Sequence, residues 1–120
     1  MIESNPYAIA DGKRNIEDNH LKNIRYISRP LEKLITTKTK DATRYDIVIV
    51  DPPRVGLTTV GISRLVALNP QRIAYISCNP ATFARDVHKL SQQYVPASVS
   101  LVDMFPNTYH CEVLGILNRR

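Results

Sequence analysis

Three short clusters in this 120-residue chain carry side chains that could do chemistry. Asp51-Pro52-Pro53-Arg54 joins a carboxylate and a guanidinium to two consecutive prolines, which remove two backbone donors and hold a stiff extended turn. The carboxylate can then point into a cleft, and the rigid fork of Arg54 suits a phosphate or carboxylate. Cys78 precedes Asn79-Pro80 and the expected start of a helix, where a thiol can have a lowered pKa and act as a nucleophile. His110 and Glu112 are two residues apart and would share a strand face, with Cys111 turned away, if the strand has begun there. Each residue also has an ordinary alternative. Asp51 could cap local amides and Arg54 could sit in a surface ion pair. Cys78 could be a small buried hydrophobe, Asn79 the cap of a helix beginning near Thr82, and Glu112 an ion-pair partner at a strand start, since an unpaired buried carboxylate is expensive.

The elements that must position these groups are two short apolar, β-branched runs. Ile47 to Val50 delivers Asp51, and Ile73 to Ile76 delivers Ser77, Cys78 and Asn79, as buried parallel strands would. Ligands of open α/β sheets bind just beyond the carboxyl ends of the strands, which puts Asp51 and Cys78 on one rim. Around this pair the chain reads βαβαβαβαββ. Met1 to Glu3 is the end of a strand, Asn5 caps a helix opened by Pro6 that runs through about Asn19, and Asn23 to Ser28 is a strand. Pro30 opens a short helix to about Thr37 with Leu31, Leu34 and Ile35 inward, and a polar connection follows over 36–43. Asp46 to Val50 is the third strand. Gly56 to Leu68 is a helix with Leu57, Val60, Ile62, Leu65, Val66 and Leu68 apolar, stopped by Asn69 and Pro70. Arg72 to Ser77 is the fourth strand, and the helix from Ala81 or Thr82 presents Phe83, Val87, Leu90 and Tyr94 on one face. VSLVDMF and CEVLGIL have no helix between them and read as an antiparallel pair.

The length fits one domain, and no run approaches 18 apolar residues. Sixteen Lys and Arg against eleven Asp and Glu give a formal +5, which permits a polyanionic partner, while the absence of Trp argues against a dedicated stacking platform for single strands. Two cysteines are no disulfide scaffold and lack paired metal-ligand spacing, so a reducing compartment, the cytoplasm, is expected, with no metal and no membrane.

DPPRVG, SCNPATFARD and DMFPNTYHCE, in this order and spacing, resemble the carboxyl-terminal signatures of the RNA 5-methyluridine methyltransferases, S-adenosylmethionine-dependent enzymes acting on uracil in transfer or ribosomal RNA. The opening IESNPYAIADGKRNIEDNHLKNIRYI is similar to that family's second strand, helix and third strand. The resemblance implies an incomplete Rossmann-like methyltransferase fold, an α/β architecture with a mostly parallel sheet and a carboxyl-terminal antiparallel pair. It implies Cys78 as nucleophile, Glu112 as base, Asp51 at the junction of cofactor and substrate, and Glu3 at the cofactor ribose. Arg54, Asn79 and His110 would position RNA, and the target uridine would be unstacked to reach the thiol.

The same resemblance places the family's first strand and glycine-rich cofactor loop before Glu3. Residues 1–120 are accordingly expected to be a partial catalytic domain, with a missing amino-terminal portion or self-association needed to complete it. Arg29-Pro30 falls where the family has an acidic contact to adenine. The expected consequences are weak cofactor binding by the isolated chain, an amino-terminal half that is non-monomeric or partly disordered, and a more compact unit from Asp46 to Leu117. Two other readings stand beside the uracil enzyme. An amino-group nucleic-acid methyltransferase could use Asp51-Pro52-Pro53 to grip an exocyclic amine, and a noncatalytic fragment or assembly domain would keep these residues by descent.

Overall fold

The computed structural model describes residues 1–34 and 45–120. It contains two compact units, Met1–Ile35 and Thr36–Arg120.

In the first unit, β1 (Ile2–Glu3) pairs in parallel with β2 (Ile27–Ser28), and α1 (Pro6–Asp18) connects them. Asn5 caps α1, its side chain accepting from Tyr7 N at 2.9 Å and Ala8 N at 3.4 Å, and Pro6 takes a first-turn position where no amide is needed. The second strand is shorter than the run from Asn23 to Ser28 suggested, because β1 offers only Ile2 and Glu3 to pair with Ile27 and Ser28. Where a helix was expected after Pro30 there is a single 3-10 turn, Leu31–Lys33. Ile35 and the connection over 36–43 lie outside the described residues.

The second unit is a four-stranded mixed sheet in the order β3 (Ile47–Val50), β4 (Arg72–Ser77), β6 (Glu112–Arg119), β5 (Tyr94–Val102). β3 and β4 run parallel, and β6 lies antiparallel between β4 and β5. Both helices, α2 (Thr59–Leu68) and α3 (Pro80–Leu90), contribute to one core with Ile62, Leu65, Phe83 and Leu90, packed with Ile73, Tyr75, Val113 and Leu117 from the sheet. Strand alternation explains the split: Ile73, Tyr75 and Ser77 are buried while Ala74 and Ile76 between them are half-buried. Edge strand β5 tolerates Pro96, and its register with β6 shifts between Pro96 and Ser98.

Two helix boundaries differ from the sequence pattern. α2 starts at Thr59, because Gly56 has φ +77 and Thr58 caps the helix by accepting from Gly61 N at 2.9 Å; Val60 is exposed accordingly. α3 starts at Pro80 and ends at Leu90, so Tyr94 belongs to β5, where burial raises its phenol pKa and its hydroxyl donates to the Pro70 carbonyl at 3.1 Å. No helix among the described residues is long and apolar enough to cross a membrane.

Candidate active site

The registers of the second unit bring three of the sequence clusters to one end of the sheet. Val50 pairs with Tyr75 in the parallel ladder, so Asp51 leaves β3 at the level where β4 still has Ile76 and Ser77 to run. Ser77, the last residue of β4, pairs with Val113 in the antiparallel ladder, so Cys78 leaves β4 at the end of the sheet where Glu112 opens β6. Glu112 is paired with Val102 and lies, by alternation, on the face of Leu114 and Ile116, opposite the buried Val113.

Cys78 is a half-buried free thiol. The turn around it is closed by its neighbours: the Ser77 hydroxyl donates to the Asn79 carbonyl and accepts from the Asn79 amide, both at 3.1 Å. Asn79 caps α3, its Oδ1 accepting from Ala81 N at 3.0 Å and Thr82 N at 3.4 Å, so the helix amino terminus begins two residues beyond the thiol. The remaining Asn79 donor, Nδ2, reaches the Arg54 carbonyl at 3.4 Å, and the Thr82 hydroxyl donates to the same carbonyl at 3.1 Å. Asp51 and the Arg54 side chain are exposed. Gly56 N donates to Pro53 O at 2.7 Å and closes a turn over Arg54 and Val55.

His110 precedes β6 rather than lying in it: pairing with β5 begins only at Glu112, so the condition for a strand face shared with Glu112 is not met. Its amide donates to the Thr108 hydroxyl at 3.2 Å, and its ring lies 4.1 Å from that of Tyr109, tilted by 39°. In the first unit, the Glu3 Oε1 accepts from Ser4 N at 2.6 Å and Asn5 N at 2.7 Å. The Asn5 amide, then the Ser4 amide, hold this exposed carboxyl below the ordinary carboxylate range.

Sequence reasoning missed Asp86 and Arg85. Asp86 is completely buried and takes hydrogen bonds from Tyr75 and from the amide of Leu57, just beyond the Asp51 turn. The signal was there: Phe83, Asp86, Val87 and Leu90 follow the i, i+3, i+4, i+7 pattern of one helix face, so a carboxylate occupies a core position.

This architecture defines the class: the chain has the α/β, Rossmann-like fold of the methyltransferases, with the expected antiparallel carboxyl-terminal pair. It aligns over 98% of its length with a methyltransferase domain described as delta-N METTL16, at a TM-score of 0.61 and 16% identity, a likeness of fold alone. The family model for tRNA (Uracil-5-)-methyltransferase matches residues 3–120, and the chain belongs to that family. It is 41% identical over 119 residues to an uncharacterized RNA methyltransferase of Caldanaerobacter subterraneus, covering 98% of this chain and 26% of that protein. A Fusobacterium nucleatum relative of the same description is 40% identical over 120 residues, again with 26% of its length covered. The Pyrococcus abyssi tRNA (uracil-54, C5)-methyltransferase, solved with S-adenosyl-L-homocysteine, superposes at a TM-score of 0.81 with 38% identity, over 97% of this chain and 27% of that one. The chain thus spans about a quarter of the length of these relatives.

Proposed function

We propose that these residues form the catalytic portion of an enzyme that transfers a methyl group from S-adenosylmethionine to carbon 5 of uridine in transfer or ribosomal RNA. The observation that supports the reading is the β4–β6 register: Ser77 pairs with Val113, so Cys78 follows the end of β4 beside Glu112, the first residue of β6. A nucleophile and a base at the ends of adjacent backbone-bonded strands can act on neighbouring carbons of one flat ring.

Two carboxylates fit the cofactor by their chemistry. Glu3, held ionised by its neighbouring amides, is an acceptor suited to ribose hydroxyls, and Asp51 offers an exposed carboxylate past the end of β3. S-adenosylmethionine supplies a methyl group on a sulfonium, ready for transfer to a carbon nucleophile. The chain's own residues create that nucleophile. The Cys78 thiolate adds to carbon 6 of the uracil ring, and the displaced electron pair makes carbon 5 reactive. After methylation Glu112 takes the proton from carbon 5, and the electrons of that C–H bond restore the ring double bond as the bond from carbon 6 to sulfur breaks. Asn79 and Arg54 hold the turn beside the thiol, and His110 positions the RNA or the approach to Glu112. Two free thiols fit a reducing cytoplasmic setting, where the RNA is met.

RNA containing 5-fluorouridine tests the chemistry, because fluorine in place of the carbon 5 proton blocks release. In a restored full-length protein a covalent RNA adduct should form that is absent in Cys78→Ala, and Glu112→Gln should accumulate adduct on ordinary RNA. Normal tritium release from carbon 5 by Cys78→Ala would refute the assignment of Cys78, whereas methyl transfer to an exocyclic amine with no adduct on the fluorinated RNA would favour an amino-group methyltransferase.

A further inference from the structure

Asp86 is a carboxylate with no exposed side-chain surface, and none of the steps above uses it. Its Oδ2 accepts from the Tyr75 hydroxyl at 2.6 Å and from Leu57 N at 2.7 Å, while Oδ1 accepts from Arg85 Nη2 at 2.8 Å and Nε at 2.9 Å. Arg85 continues outward: Nη2 donates to the Val55 carbonyl at 2.8 Å and to that of Leu57 at 3.4 Å. Gly56 lies within this grip with φ +77, and a Cβ there would stand 2.5 Å from Asp86 Oδ2 and 2.6 Å from Arg85 Nη2. The other side of the turn is held by the Asn79 and Thr82 side chains on the Arg54 carbonyl. One helix, starting two residues after Cys78, therefore holds the whole segment that follows Asp51.

The reason such a grip is needed lies in the sequence. Pro52 and Pro53 have no amide to join the segment to its neighbours, so its position must be set by groups outside it. A buried carboxylate suits this purpose because it must keep its partners: with water excluded, each lone pair left empty is costly. The burial, then the hydrogen bond to Asp86, push the Tyr75 phenol well above its ordinary pKa, so it remains a donor at every working pH.

We propose that Asp86, acting through Arg85 and the Leu57 amide, is a positioning residue of the reaction, fixing the Asp51–Gly56 turn relative to Cys78. The inference rests on the reading under Proposed function. In Asp86→Asn the new NH2 must face either the Leu57 amide or the Arg85 guanidinium, donor against donor, so one side of the grip opens. Displacements of about 1 Å at a reacting geometry cost on the order of 100-fold in rate, so a loosened turn should lower the rate of methyl transfer at least about ten-fold.

The test uses the full chain and two measurements. Hydrogen exchange should quicken at the Gly56 and Leu57 amides in Asp86→Asn, with β4 and β6 unchanged. The single-turnover rate constant for uridine methylation, measured with enzyme in saturating excess over RNA, should fall; at saturation neither this constant nor the amplitude, which the limiting RNA sets, changes with a partial loss of folded protein, so a structural role alone would leave the rate. Arg85→Gln is the second variant: the Arg85 side chain is 45% exposed, so its replacement removes no core packing, although it takes the ion-pair partner from Asp86. It should reproduce the slower rate, and Arg85→Lys, which keeps the charge beside Asp86, should recover part of it. A wild-type rate constant in Arg85→Gln, or unchanged exchange at Leu57 in Asp86→Asn, overturns the proposal. If a full-length protein restored around these residues neither methylates uridine nor forms an adduct, the function reading has failed, and with it the catalytic meaning of the grip; the exchange result still stands as a fact about the turn.

Discussion

Gly115 offers a prediction in which two effects of opposite sign compete. It lies mid-way along β6, opposite Tyr75, three residues from Glu112, and its backbone does not need positive φ. On propensity alone, alanine in place of a strand glycine should stabilise by roughly 0.5–1 kcal/mol, because the unfolded chain loses freedom. The structure opposes this: a Cβ at Gly115 would meet the Phe83 ring, with Cε2 at 2.6 Å. Phe83 cannot swing aside freely, since its ring stands edge-on to Tyr75 at 5.5 Å and 84°. Overpacking of this kind costs about 1–3 kcal/mol, and disturbing the aromatic pair about 0.5–1.5 kcal/mol more. The clash wins, and Gly115→Ala should be destabilised by about 1–3 kcal/mol on balance. Phe83→Leu alone should cost about 1–2 kcal/mol through lost burial. Together the two should cost less than their sum by about 1 kcal/mol or more, because the added methyl occupies space the ring has left. Urea denaturation followed by circular dichroism, with unchanged slopes across the four proteins, measures the cycle. A neutral or stabilised Gly115→Ala, or strict additivity, would refute the packing argument.

Asn79→Ala should destabilise by about 1 kcal/mol through loss of the α3 cap, and thiol alkylation should show Cys78 becoming more reactive toward iodoacetamide as its turn loosens. Gly56→Ala should be worse than a cap loss, costing more than about 1 kcal/mol, since positive φ and the nearness of Asp86 both oppose a side chain; calorimetric melting checks it. The Glu3 carboxyl, followed by carbon-detected NMR, should titrate below the ordinary carboxylate value. Its folded pKa is depressed, so its amide bonds hold fully above the unfolded pKa and are lost as pH falls through the folded one. A midpoint at or above the ordinary value would contradict the Ser4 and Asn5 contacts.

Much of this was legible in the sequence because local signals agreed with the packing. Arg72–Ser77 reads as a strand from its apolar run alone, and it is one; Asn5-Pro6 announces α1 through the cap and the proline that needs no amide donor. The signatures around Cys78, Glu112 and Asp51 suggested a family, and the chain belongs to it. What periodicity could not show was where long-range bonds override it. The apolar residues from Gly56 to Leu68 suggested one helix, but the Leu57 amide is taken by Asp86, twenty-nine positions away, and α2 waits until Thr59. His110 looked like a strand neighbour of Glu112 because period two says nothing about where pairing begins.

The pairing of Ser77 with Val113 separates two properties that many sites must change together. The ladder ties together Ser77 and Val113, the chain neighbours of Cys78 and Glu112, whereas residues 103–109, between β5 and β6, are exposed and include Met104, Phe105 and Tyr109. That connecting segment can be lengthened, shortened or exchanged without changing the pairing. A slip of β6 by one residue, by contrast, would place Leu114 or Glu112 opposite Ser77 and turn Glu112 toward the helices. The exposed rim of this fold can therefore vary in length and sequence while the strand pairing behind Cys78 and Glu112 stays fixed, and a designer has a replaceable panel adjoining a fixed frame.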